Sequence, residues 1–168
     1  DAVLRLVTEI CATAPRLAQV LARRSQLLDA AFDHGFFDAP PPLATMRAAL
    51  AKRLRQDGGD YEMALDAARR WAAERRFQIS VGLLQGRLAV AEAGARYAHV
   101  AEAAVAELWP LVVARLEERH GPPPGNGAAV LALGRLGSRE MTSGSDLDLI
   151  LIYDAETSAM SAGAKPLP

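Results

Sequence analysis

Residues 128–153 read AAVLALGRLGSREMTSGSDLDLILIY, from Ala128 to Tyr153. Two apolar runs, Ala129 to Leu133 and Leu147 to Tyr153, flank a glycine-rich turn and a pair of aspartates, Asp146 and Asp148. Alternation predicts strands for both runs. In the second, Leu147, Leu149, Leu151 and Tyr153 share one face, and Asp146, Asp148, Ile150 and Ile152 share the other. That pattern predicts a central strand whose leading end opens into a cleft, with both carboxylates projecting the same way.

Their Cα atoms would sit roughly 6.6–7 Å apart at strand rise. Two carboxylates at that spacing can converge on one divalent cation or bridge two. Hard oxygen ligands select Mg²⁺. Gly137-Ser138 would supply free backbone N–H groups as an anion nest, with the Ser138 hydroxyl as a further donor to a phosphate oxygen. No Gly-Lys-Ser/Thr follows, so this is not a Walker A loop, and the glycine spacing is not that of a dinucleotide fingerprint. The competing reading is a plain β-hairpin with polar turn chemistry.

Upstream, helical periodicity dominates. Leu4, Val7, Ile10 and Cys11 recur at helical spacing, and Cys11, the single cysteine, reads as a small core residue. Leu17, Val20 and Leu21 follow Pro15, and Ser25 is the expected N-cap for Leu27, Leu28 and Ala31. His34-Gly35 and Pro40-Pro41-Pro42 interrupt, and a helix from about 43 to 55 should end at Gly58-Gly59. Asp60 should cap a long helix that stops at Gly86, and the last helix, about 90–118, contains Pro110, where a kink or break is expected. His120 would favour its C-terminus electrostatically. Lys52, Arg53, Arg55, Arg69, Arg70, Arg75 and Arg76 interleave with acids, as on a solvated helix face; a docking surface for an acidic partner is the sharper alternative.

Composition fits packed helices: 51% of the 168 residues are hydrophobic but only 5% aromatic. A formal net charge of −1 argues against a general nucleic-acid binder. No apolar run reaches membrane-spanning length and no signal-peptide pattern opens the chain, so a cytoplasmic location without membrane contact is expected. Gly121 to Gly127, rich in proline, marks the boundary between helical and strand periodicity. The expected class is α+β: an all-helical domain over 1–120, a linker over 121–127, and a partial domain over 128–168.

The run Leu133-Gly134-Arg135-Leu136-Gly137-Ser138-Arg139-Glu140, followed by Ser145-Asp146-Leu147-Asp148, resembles the signature of the glutamine synthetase adenylyltransferases. Arg135 stands where that family usually has lysine, and Ser138 where it often has glycine. Ala14-Pro15-Arg16-Leu17-Ala18 and Arg76-Phe77-Gln78 also look similar to family segments, the latter to the carboxy-terminal, adenylylating half.

The resemblance implies the first strands of a polymerase-β-like mixed sheet, truncated here. It further implies transfer of AMP from ATP to a tyrosine of glutamine synthetase. Asp146 and Asp148 would be catalytic and hold magnesium. Gly137, Ser138, Arg135, Arg139 and Ser145 would bind the phosphates, and Glu140 would cap or pair locally. Glutamine synthetase and a PII-type signalling protein are the implied partners. The family's third catalytic acid lies on a later strand, so an incomplete site on a fragment is expected. The alternatives are the phosphorolytic, deadenylylating half of the same enzyme, a stand-alone nucleotidyltransferase, and a helical interaction module without activity.

Overall fold

Residues 2–33, 35–56, 60–156 and 158–167 are described by a computed structural model. The first helix, α1 (Ala2–Thr13), buries Leu6 and Ile10, one turn apart. Cys11, expected in the core, is exposed, because it lies about 100° further round the helix than Ile10. Helix α2 (Pro15–Arg23) starts with proline in its first turn, where the missing N–H costs nothing. The single turn α3 (Leu27–Ala30) buries Leu27; its N-cap is Gln26 without a side-chain bond, so Ser25 does not cap it.

Helix α4 (Leu43–Gln56) buries Met46, Leu50 and Leu54 at successive turns. The expected stop at Gly58-Gly59 lies outside the described residues, as do His34 and Asp57. Helix α5 (Tyr61–Leu84) is capped as expected: the Asp60 carboxylate accepts from the Met63 amide at 3.0 Å. It ends at Gly86, which takes φ +66°. Helix α6 (Val90–His120) runs 31 residues and is not broken at Pro110. The proline is exposed and removes only the bond to the Ala106 carbonyl, which solvent can satisfy.

Two apolar clusters hold the helices. One joins Leu6 and Ile10 to Leu21, Phe36, Phe77 and Val81. The other joins Met46 and Leu50 to Trp71, Ile79, Tyr97 and Ala98. Helix α5 contributes to both and so links them. Fully buried side chains such as Leu50 and Ile10 each contribute about 1.5–3 kcal/mol. Gln78, buried in α5, ties the halves further by donating to the carbonyls of Phe36 (2.9 Å) and Gly35 (3.3 Å), while Arg75 donates to it at 2.8 Å. Of the interleaved charges, Arg53 pairs with Glu74 and Arg69 with Asp66. Among the described residues no helix is long and apolar enough to cross a membrane.

Beyond the proline-rich segment, β1 (Ala128–Ala132) pairs antiparallel with β2 (Leu149–Tyr153), Ala128 opposite Tyr153 and Ala132 opposite Leu149. Asn126 and Gly127 close the open end of the ladder through backbone bonds with Asp154 at 2.9 and 3.0 Å. The α+β class holds, with β2 one of two strands in the sheet described here. Among the described residues it has one neighbour, and every residue of both strands is exposed. Both strands also begin off the expected positions, β1 one residue earlier and β2 after the aspartates rather than on them.

The tail returns to the end of α6: the Gly163 amide donates to the His120 carbonyl at 2.8 Å, and His120 Nδ1 lies 2.6 Å from the Lys165 carbonyl oxygen. The helical core also crosses the 121–127 segment, since Leu136 and Met141 are buried members of the α4–α6 cluster.

Candidate functional site

At the end of β1 the Leu133 amide donates to the Asp148 carbonyl at 2.8 Å, which extends the pairing one position beyond the last ladder pair, Ala132–Leu149, on each strand. Gly134 then takes φ +51°, a left-handed conformation that costs an L side chain energy. This bend converts the strand into a single helical turn, α7 (Gly134–Gly137). The Asp148 carboxylate lies directly against Gly134, in the space a Cβ would occupy. The second aspartate of the pair is therefore fixed at the start of α7 by backbone pairing on one side and glycine on the other.

The expected anion nest at Gly137-Ser138 is not formed by those amides. Gly137 N–H donates to the Leu133 carbonyl at 2.9 Å and Ser138 N–H to that of Gly134 at 3.1 Å, because both belong to the helical turn. The amides of Gly134 and Arg135, at its start, make no bond among the described residues, as the first donors of any helix do. Ser138 Oγ instead donates to the Glu140 carboxylate at 3.4 Å, in keeping with the local pairing expected of Glu140.

The basic residues are held rather than free. Arg135 Nε donates to the Glu140 carbonyl at 3.0 Å while the Glu140 amide donates back to the Arg135 carbonyl at 2.9 Å. Arg139 has φ +59°, rare for a non-glycine residue, and reaches Glu102 of α6 at 3.5 Å. Ser145 closes a turn with Thr142, accepting from its amide at 2.9 Å and lying 3.0 Å from its hydroxyl. That turn leads directly into Asp146. Asp146 and Asp148 are both exposed and lie in the segment entering β2. Neither carboxylate has a cationic partner among the described residues. No group of three or more histidine, cysteine, aspartate or glutamate side chains gathers among the described residues.

Gly94, Leu136 and Met141 matter here and carried no expectation of burial. Gly94 of α6 lets the 139–141 backbone approach so closely that a Cβ there would lie 3.3 Å from the Arg139 carbonyl oxygen and 3.3 Å from Glu140 Cα. A lone glycine in an alanine-rich helix was its only signal. Met141 and Leu136 are buried beside it in the core and anchor the turn from below. His99, with no metal-ligand spacing in the sequence and read there as structural rather than catalytic, lies one turn before the residue that pairs Arg139, and its Nδ1 is buried with no partner among the described residues. Burial holds its pKa below the ordinary imidazole value, helped by the Arg139 and Arg96 charges and opposed by Glu102.

A profile of the glutamate-ammonia ligase adenylyltransferase family matches residues 4–166. The chain is 46% identical over 166 residues to a bifunctional glutamine synthetase adenylyltransferase/adenylyl-removing enzyme of Xanthobacter autotrophicus, covering 98% of this chain and 17% of that protein. Proteins with the same description from Bradyrhizobium sp. and Brucella suis are each 42% identical, over 96% and 98% of this chain and 16% and 17% of theirs. The chain thus spans about a sixth of the length of the relatives it matches. With the profile covering nearly every residue, including the turn and both aspartates, the chain belongs to the glutamate-ammonia ligase adenylyltransferase family.

Proposed function

We propose that residues 128–168 form the opening part of a polymerase-β-like nucleotidyltransferase domain, that 1–120 is its helical companion, and that the pair transfers AMP from ATP to a tyrosine of glutamine synthetase. The observation that carries this reading is the Asp148 carboxylate set against Gly134 at the start of α7. It brings an acidic group and the first amides of a helical turn together, which is what a metal-bound polyphosphate needs.

In that reaction the tyrosine oxygen forms a bond to the α-phosphorus of ATP, the bond to the β-phosphate oxygen breaks, and pyrophosphate leaves while the tyrosine proton is released. Magnesium held by Asp146 and Asp148 would supply charge neutralisation at the transferring phosphate. The pairing of Leu133 with Asp148 and the Thr142–Ser145 turn orient the two carboxylates from either end. Arg139, braced by Glu102, and Arg135, braced by Glu140, would offset triphosphate charge at the rim. A third acid would come from elsewhere in the complete enzyme.

The test supplies α-labelled ATP, magnesium and glutamine synthetase to a full-length protein containing this segment. Asp146→Asn with Asp148→Asn should abolish label transfer, and unchanged transfer would overturn the assignment. The phosphorolytic direction would draw on the same pair, and supplying phosphate with adenylylated glutamine synthetase separates the two.

A further inference from the structure

We propose that the groove between α2 and α5 docks an acidic, amphipathic segment of a protein partner. The groove has a volume of about 940 Å³ and neither Asp146 nor Asp148 lines it, so the inference does not rest on the nucleotidyl-transfer reading. Four arginines line it, Arg16, Arg23, Arg24 and Arg76, and no aspartate or glutamate does. None of the four has an ion-pair partner among the described residues. Elsewhere the pattern is the opposite. The adjoining cleft, which shares Arg24, contains Asp66 and Glu74, and both are already paired with arginines.

Uncompensated positive charge in a protein whose net charge is −1 calls for an anionic occupant. The walls say which kind. Leu17, Val20 and Leu84 line the same groove, and Val20 is 43% exposed. On α2 the arginines at 16 and 23 and the apolar residues at 17 and 20 fall at helical spacing, so charged and apolar stripes run side by side. A small polyphosphate would use the arginines and leave the apolar stripe wet. A peptide with carboxylates beside leucine-like side chains uses both, in the manner of helix-in-groove recognition. Ser143, three residues before Asp146, also lines the groove.

The experiment measures fluorescence anisotropy of a labelled helical peptide of glutamate and leucine at three-and-four spacing, titrated with the protein. A lysine–leucine peptide of the same pattern and unlabelled tripolyphosphate are the comparison arms. The acidic peptide should bind, and Arg16→Glu with Arg23→Glu should weaken it roughly tenfold or more, since two favourable rim contacts become repulsive. Val20→Ser should weaken it a few-fold through the apolar stripe. Circular dichroism checks that each variant is folded; if the double reversal is not, Arg16→Gln with Arg23→Gln carries the same test. Absence of binding, equal binding of the lysine peptide, or indifference to the arginine changes would overturn the proposal. Displacement by tripolyphosphate at concentrations matching the peptide's would also overturn it, by marking an anion site instead.

Discussion

Gly134→Ala tests the local geometry of the candidate site most directly. Two costs separate in the structure. The first is conformational: φ +51° is left-handed, and an L residue there loses about 1–2 kcal/mol. The second is steric: the new methyl group would take the place of the Asp148 carboxylate, which must rotate away or pull on the Leu133–Asp148 pairing. Together they should lower stability by about 2–3 kcal/mol, within the usual range for strain at a special backbone position. Because Leu136 and Met141 belong to the helical core, the loss should appear in global unfolding.

The assay is urea denaturation followed by far-ultraviolet circular dichroism, on Gly134→Ala, Asp148→Ala and the double variant. Asp148 is exposed, so Asp148→Ala alone should change stability by no more than about 0.5 kcal/mol. In its presence Gly134→Ala should cost only the conformational part, leaving a coupling of roughly 1 kcal/mol. If Gly134→Ala costs the same with and without the carboxylate, the two groups do not touch and the site geometry described above is wrong.

Other outcomes follow from single interactions. Gln78→Leu should destabilise by about 1–3 kcal/mol, because it leaves the Phe36 carbonyl and Arg75 without their buried partner; a change below about 0.5 kcal/mol in urea unfolding would refute that role. Asp60→Ala should cost roughly 1 kcal/mol by removing the α5 N-cap, and Asp60→Asn should retain most of it. For His99 the folded pKa lies below its ordinary value of 6.5, so the unfolded chain takes up the proton first as pH falls. Its contribution is complete above pH 6.5 and is lost as pH drops through the lowered folded value. Thermal unfolding of the native protein should therefore lose more stability on acidification than that of His99→Gln, and parallel pH curves would contradict the assignment.

The sequence was most legible where local chemistry decides structure. Asp60 before an apolar-periodic run, Gly86 after it and the triple proline before α4 each act within one turn of the chain, and each stands where expected. Burial was less legible. In α1 a stripe through Leu4 and Cys11 satisfied the periodicity, yet Leu4 is 67% exposed and the core takes Leu6 and Ile10. Alanine-rich helices offer several similar faces, and tertiary packing chooses among them. At the candidate site, residue types and spacing singled out a segment but not its conformation. Whether Gly137 and Ser138 offer free amides depends on where the helical turn begins. That was set by the backbone of Gly134, a residue the motif contained without announcing its φ.

Helix α6 gives the segment after the proline-rich stretch two points of attachment. Near its start, Gly94 receives the 139–141 backbone; at its end, His120 and Arg119 receive Gly163 and Lys165. From 94 to 120 is 26 residues, about 39 Å of helix. A body fastened at one point can swivel, whereas one fastened at two points that far apart is splinted and moves only if the rod bends or a fastening opens. Pro110, between the fastenings, removes one rung of the rod's internal bonding and is its natural point of flexure. The aspartates follow the first fastening in the chain, and Leu108 and Leu111, packed against the core on either side of the proline, are the contacts a bend there would strain.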